Sequence, residues 1–401
     1  MLAQGLETKV IRHADNRRLD LQPMDGASEA GVLQKRGEEY TRKRQKIAVL
    51  KGISVGLGLF PFMGGVSADY IRRAALSIGH NFFTLAVLVE FFIVAAPIFL
   101  CLLVADWLQY RINLRYGISV QKPLSAAADM LRRAAIRIGI LIAAVLLVYG
   151  SYALLNSRWW IGAGVGLGAL WMAYIYIFPH IILPLFFKLE PVTESSLLTA
   201  IHCLTARAGV SIEHVFNLKI SEKFNLSNMA IGGIGKRRML ILTDTILREC
   251  SAEELEALLA HELGHVCNHD VEKRAAGLAM LSLISCWIGA ITLASLNISL
   301  ANLDSLPAVC GSLLFPYCFG VLLLARLWRK HEFRADEFAF KLIGDTTPFV
   351  SALKRISEKN LIQVTRKNQH RFSHPATQER IRRAQAFCSP APLKDAAAVQ
   401  V

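Results

Sequence analysis

Long apolar runs divide this 401-residue chain, and they constrain its fold more than any other feature, because a backbone in hydrocarbon must satisfy its own hydrogen bonds. Runs near residues 82–105, 138–155, 159–187, 276–300 and 308–328 are each long enough for a membrane-spanning helix. A weaker run at 47–66 is interrupted by Lys51 and Pro61. Hydrophobic residues make up 53% of the chain, and the excess sits in these runs and is not spread evenly. The expected class is mainly α: a polytopic helical membrane protein.

Net charge is +14, which taken alone would suggest a nucleic-acid partner. Its distribution argues for a membrane instead. Lys and Arg number ten in residues 1–46 and six in 106–137, against two in 67–81, one at Arg158 and none in 301–307. This alternation follows the positive-inside pattern and predicts six crossings, with the N-terminus, residues 106–137, segment 188–275 and the C-terminus on the cytoplasmic side. Membrane lipids are expected partners; nucleic acid is not. No apolar core followed by a cleavage site opens the chain, so no removable signal peptide is read. The polar first 46 residues are expected to be loosely ordered or to lie on the anionic leaflet. Eight cysteines without a CxxC or regular spacing predict no disulfide framework.

Residues 261–265 read HELGH. On a helix, His261 and His265 fall four residues apart on one face, within reach of one metal ion, and Glu262 projects beside them toward the water to be activated. Ser251 and Glu254 form an S-x-x-E capping box, and no Gly or Pro follows until Gly264, so the pentapeptide lies well inside a helix. One zinc ion per chain is expected. A hydrolytic zinc takes three protein ligands and leaves a position for water. A third His six residues after His265 is excluded, since that residue is Val271. Glu332 is the best remaining donor, with Asp336 one turn on and suited to hold a ligating histidine; neighbouring His331 competes for the same role.

Residues 192–210 read as an amphipathic helix, 214–221 and 237–244 as strands, and 227–236 as a further strand with a Gly-rich turn. Zinc proteases commonly hold substrate extended along a sheet edge, because main-chain pairing fixes the scissile carbonyl. Asn228, Met229 and Ala230 are the candidates for that edge, against the alternative of an ordinary hairpin. Residues 346–360 and 375–387 read as helices, the second opened by His374-Pro375 with Arg380 one to two turns in. His374 and Arg380 would suit an oxyanion, or simply begin a helix. Glu90, inside an apolar run, should face a protein interior or a water-filled cavity.

These residues, together with RYGIS at 115–119, FPHIILPLFFKLEPV at 178–192, LSNMAIGGIGKRRMLILTDTIL at 226–247, EALLAHELGH at 256–265, EFRADEFA at 332–339 and HPATQERI at 374–381, resemble the integral-membrane zinc endopeptidases of the CAAX prenyl protease type, which are gluzincins. The resemblance implies a zincin-like catalytic domain containing a small β-sheet. It makes Glu332 the third zinc ligand, Asp336 the support of a ligating histidine, Asn228 to Ala230 the substrate-pairing edge, and His374 and Arg380 residues lining the active site. It implies a peptide or protein substrate, lipid-modified substrates included. The family's strand usually carries an aromatic residue after Asn-Ala, where this chain has Met229-Ala230-Ile231. The expected organisation is a polar basic segment 1–46, a transmembrane unit 47–187, a catalytic domain 188–275, a transmembrane hairpin 276–328 and a third-ligand and C-terminal region 329–401. Two alternatives stand beside the CAAX type: a heat-shock-type membrane quality-control metalloprotease, and a non-catalytic scaffold that keeps zinc for folding, for which Glu262 would have no use.

Overall fold

The computed structural model describes residues 29–59, 73–74, 77–78, 82–235, 237–302, 305–362 and 375–388. Six long helices are described: α1 (Glu29–Leu59), α2 (Phe83–Arg115), α3 (Pro123–Leu155) and α4 (Trp159–Ile177), and later in the chain α8 (Asp270–Ser295) and α9 (Leu306–Ile343). Four stretches are long and apolar enough to cross a membrane: Phe83–Arg115, Pro123–Leu185, Asp270–Ser295 and Leu306–Ile343. The second contains both α3 and α4, which fold back on each other at Asn156, where φ is 47°. The five firm runs of the sequence fall in these helices. The weaker run only partly does so, since residues 60–66 lie outside the described residues.

Glycines let the helices approach closely, as expected where dispersion rather than hydrophobicity holds helices together in lipid. A Cβ on Gly162 would meet Ser151 and one on Gly166 would meet Leu147, so α4 runs antiparallel to α3. Gly164 against Leu283 and Gly168 against Ala279 set α4 antiparallel to α8, and Gly289 against Leu313 with Gly320 against Leu281 do the same for α8 and α9. Ala86, Val87, Val148, Trp159, Cys286 and Leu306 form the buried core of this bundle. Leu100, Val165, Phe315 and Phe319 stay exposed on its outside, as lipid-facing positions should. Glu90 is buried among these helices, on the protein side as its cost in lipid requires.

At Pro179 and Pro184 the chain leaves α4 through a π turn (Phe178–Ile182) and a 3-10 turn (Leu183–Leu185), since each proline removes a helical N–H. A short strand β1 (Leu189–Pro191) follows, then α5 (Ser195–Arg207), β2 (His214–Leu218), β3 (Met229–Gly232), β4 (Met239–Thr243) and α6 (Asp244–Glu249). The sheet order is β1-β2-β4-β3. β4 lies parallel to β2, with Phe216 opposite Ile241, and antiparallel to β3, with Ala230 opposite Ile241. Every residue of β4 is buried, which its unbroken apolar sequence MLIL anticipates. β3 is an outer strand of the sheet.

α7 (Ala252–Cys267) packs on this sheet through Leu255, Leu259 and Leu263, in one core with Leu240, Leu242, Ile246 and Phe349. α10 (Thr347–Lys359) and α11 (Thr377–Cys388) close the other side. α9 runs 38 residues, about 57 Å at 1.5 Å per residue, against a hydrocarbon core of roughly 30 Å. One helix therefore crosses the membrane and continues out of it as far as Glu332 and Asp336.

Candidate active site

α7 starts where the sequence places it. The Ser251 hydroxyl accepts from the Glu254 N–H at 3.3 Å, and the Glu254 carboxylate accepts from the Ser251 N–H at 3.0 Å, completing the capping box. The buried Glu254 carboxylate also takes hydrogen bonds from Ser351 Oγ at 2.5 Å and Arg355 Nε at 3.2 Å, tying α7 to α10. Burial alone would raise its pKa, but these donors and the Arg355 charge outweigh it and hold the carboxyl below its ordinary range.

One turn before its end, α7 meets α9 without a side chain between them. A Cβ on Gly264 would come within 2.9 Å of both Cα and O of Ala335. The motif's small residue thus sets the distance at which Glu332 and Asp336 face the two histidines.

The His261 and His265 rings stand 4.8 Å apart between centroids and nearly perpendicular, at 80°. One ligand atom each from His261, His265 and Glu332 lies within 4.8 Å of the others. His261 Nε2 is 3.8 Å from Glu332 Oε2, and His265 Nε2 is 3.6 Å from Glu332 Oε1. The opposite ring nitrogens are committed: His261 Nδ1 sits 2.9 Å from Asp336 Oδ1, and His265 Nδ1 sits 2.9 Å from Asp270 Oδ2. With a carboxylate accepting at each Nδ1, the neutral tautomer leaves its lone pair on Nε2, and both lone pairs face Glu332. Two nitrogens and a carboxylate converging this way fit a zinc ion with a position left over. Burial would lower the His265 pKa, yet the Asp270 hydrogen bond and the charges of Glu262, Glu332 and Asp270 prevail and raise it, so the cluster attracts positive charge.

Glu332 and Asp336 are both buried, and each has a cationic partner. Arg274 Nη2 reaches Glu332 Oε1 at 3.3 Å. Arg380 grips Asp336 at two points, Nη2 to Oδ1 at 2.6 Å and Nε to Oδ2 at 2.9 Å, and its guanidinium lies over the Phe349 ring. The sequence suggests an oxyanion role for Arg380; the structure shows it holding Asp336, the carboxylate beside His261 Nδ1. His374 lies outside the described residues. Glu262 is half-buried, and its charge acts on His265.

His331, the competing donor, stands apart from the three-residue group, with Nδ1 3.2 Å from Asp270 Oδ1. Met229 and Ala230 lie on β3, which packs against α7, and Asn228 immediately precedes it. Asn228 donates its N–H to Thr243 Oγ1 at 3.0 Å and accepts from the Thr243 N–H at 3.1 Å. Asp270 and Arg274 are the residues that sequence reasoning missed. The available signal was an acid five residues past HELGH at the first turn of a new helix, reached through His269 in the left-handed conformation at φ 51°.

Known proteins resemble this chain in sequence and in fold. The profile of Peptidase family M48 matches residues 191–387, and the profile described as "CAAX prenyl protease N-terminal, five membrane helices" matches residues 34–188. The chain is 27% identical over 292 residues to the "Uncharacterized metalloprotease YhfN" of Bacillus subtilis, covering 70% of this chain and 68% of that one. It is 29% identical over 227 residues to the "CAAX prenyl protease 1 homolog" of Oryza sativa subsp. japonica, covering 53% and 52%; the match thus spans about half the length of that relative. The crystal structure of S. mikatae Ste24p superposes with a TM-score of 0.74 at 18% identity, covering 92% of each chain, which shows a common fold. With adjacent profiles spanning residues 34–387 and a Ste24p-like arrangement of helices around the sheet, the chain belongs to peptidase family M48 as a multi-pass membrane metallopeptidase.

Proposed function

We propose that the chain is a zinc-dependent endopeptidase that cleaves extended peptide segments at the membrane surface, with zinc held by His261, His265 and Glu332. The observation that carries this reading is the pair of imidazoles whose Nδ1 atoms are committed to Asp336 and Asp270 while both Nε2 atoms face Glu332. Zinc at such a site supplies a Lewis acid that polarises the scissile carbonyl and lowers the pKa of water. Glu262 accepts the proton of the attacking water and passes it to the leaving amine. The edge of β3, with Asn228, Met229 and Ala230, pairs with the substrate main chain and sets the scissile carbonyl beside the histidines. Asp336 and Asp270 keep the two rings in register, and Arg380 keeps Asp336 in place.

The N-terminal helices favour the CAAX type over a quality-control protease, since that part of the chain matches the CAAX prenyl protease N-terminal profile. The relatives' names make peptides with a lipid-modified C-terminal segment the first substrate class to test. The basic connections favour a cytoplasmic catalytic domain. The test presents purified protein in phosphatidylcholine vesicles with matched farnesylated and unmodified peptides. Chelator-sensitive cleavage supports the peptidase reading, and faster cleavage of the farnesylated peptide supports the substrate class. Absence of cleavage across varied peptides contradicts the first.

A further inference from the structure

A cavity of about 900 Å³ lies between α1 and α2, away from the histidine cluster. Tyr40 Oη bonds Asn113 Oδ1 at 3.0 Å and Lys51 pairs with Asp106, so the two helices run antiparallel and Lys46 stands level with Arg111. The wall carries Lys43, Lys46, Arg111 and Arg115 and no carboxylate. Lys43 donates to Tyr116 Oη at 3.0 Å. Lys46, Arg111 and Arg115 are exposed and have no ion pair among the described residues. Nearby cations are treated differently by the fold: Lys51 and Arg137 share Asp106, and Lys223 and Arg132 share Asp129.

The rest of the lining is apolar, with Ile47, Leu114, Trp107 at 37% exposure and Leu108 at 42%. α2 enters hydrocarbon near Ala105, so Trp107 sits at the boundary and Arg111 about 9 Å beyond the last apolar residues, at headgroup depth. Tryptophan at the interface with unpaired cations just above it is the arrangement that accepts acyl chains below and an anion on top.

We propose that this cavity binds an anionic membrane phospholipid, its phosphate and any further headgroup anion held by Lys46, Arg111 and Arg115, and its upper acyl carbons against Trp107 and Leu108. Lipid is chosen over a free phosphate ion because the wall also carries the exposed apolar side chains Trp107 and Leu108, next to the apolar run of α2. The site is independent of the proteolytic chemistry.

The test uses the full chain reconstituted in phosphatidylcholine vesicles with increasing brominated phosphatidylglycerol, which quenches tryptophan on contact. Trp107 emission is taken as the difference between the wild-type protein and Trp107→Phe. Half-maximal quenching should come at a mole fraction about ten-fold or more higher in Lys46→Gln/Arg111→Gln/Arg115→Gln than in the wild type. A control variant, Lys122→Gln/Arg133→Gln, should titrate like the wild type. Brominated phosphatidylcholine should quench the wild-type and triple-variant proteins alike, which shows that the variant is folded and inserted. Equal phosphatidylglycerol titrations of the wild-type and triple-variant proteins would overturn the proposal. So would full competition by soluble glycerol phosphate at the same concentration, since the acyl chains would then contribute nothing.

Discussion

Gly264 and Ala335 bring α7 and α9 into backbone contact: a Cβ on Gly264 would stand 2.9 Å from the Ala335 Cα. That approach sets the separation between the histidines of one helix and the carboxylates of the other. Gly264→Ala should therefore force the helices apart, because the obstructing atoms are backbone and cannot rotate away. A cost of about 1–3 kcal/mol is expected, seen as a lower thermal midpoint in detergent together with reduced metal per chain. An unchanged midpoint and metal content would mean the helices adjust freely.

Asp270 and Asp336 hold the outer nitrogens of the two histidines. Asp270→Ala and Asp336→Ala should each weaken zinc affinity by about 10- to 100-fold, measured by competition with a fluorescent chelator. Asp270→Asn should weaken it less, since an amide oxygen still accepts from Nδ1. His331→Ala should leave affinity near wild type, because His331 stands outside the three-donor group.

Much of this site was legible beforehand, for reasons that differ from residue to residue. The HELGH helix announces itself through the capping box at Ser251 and Glu254, and the strand MLIL through an apolar run too short to span a membrane. Asp270 offered only its place five residues past HELGH; that it turns back onto His265 depends on the left-handed turn at His269, which periodicity does not reveal. The Arg380 grip on Asp336 joins residues 44 apart that only tertiary packing brings together. β1 was missed as well: three residues ending in Pro191 carry no alternation, and pairing with β2 makes them a strand. The continuity of α9 was hidden by the charges from Arg326 to Asp336, which mark where the helix leaves hydrocarbon, not where it ends.

Glu254 predicts an acid-side effect. Its folded pKa lies below the ordinary value of 4.5, so its contribution to stability is fully present above that value and is lost as pH falls through the lowered one. Glu254→Gln should flatten the loss of thermal stability below about pH 4.5. Glu254→Ala should cost about 1–3 kcal/mol at neutral pH by leaving Ser351 and the α7 N-terminus without their acceptor. A wild-type acid limb in Glu254→Gln would contradict this.

Side of the membrane is tested with single cysteines in a cysteine-free background. A cysteine at Ser157, in the turn between α3 and α4, should react only with reagent applied from the non-cytoplasmic face, and one at Glu194 only from the cytoplasmic face. Reaction of the Ser157 cysteine only from the cytoplasm would reverse the assigned topology.

In the proposed mechanism His261, His265 and Glu332 hold the metal while Glu262 moves the proton, and Glu262→Gln separates the two jobs. Zinc per chain and peptide cleavage are measured on one reconstituted preparation. Zinc should be retained at the wild-type level, with cleavage down by about a hundred- to ten-thousand-fold. Cleavage at the wild-type rate by zinc-loaded Glu262→Gln would contradict the mechanism.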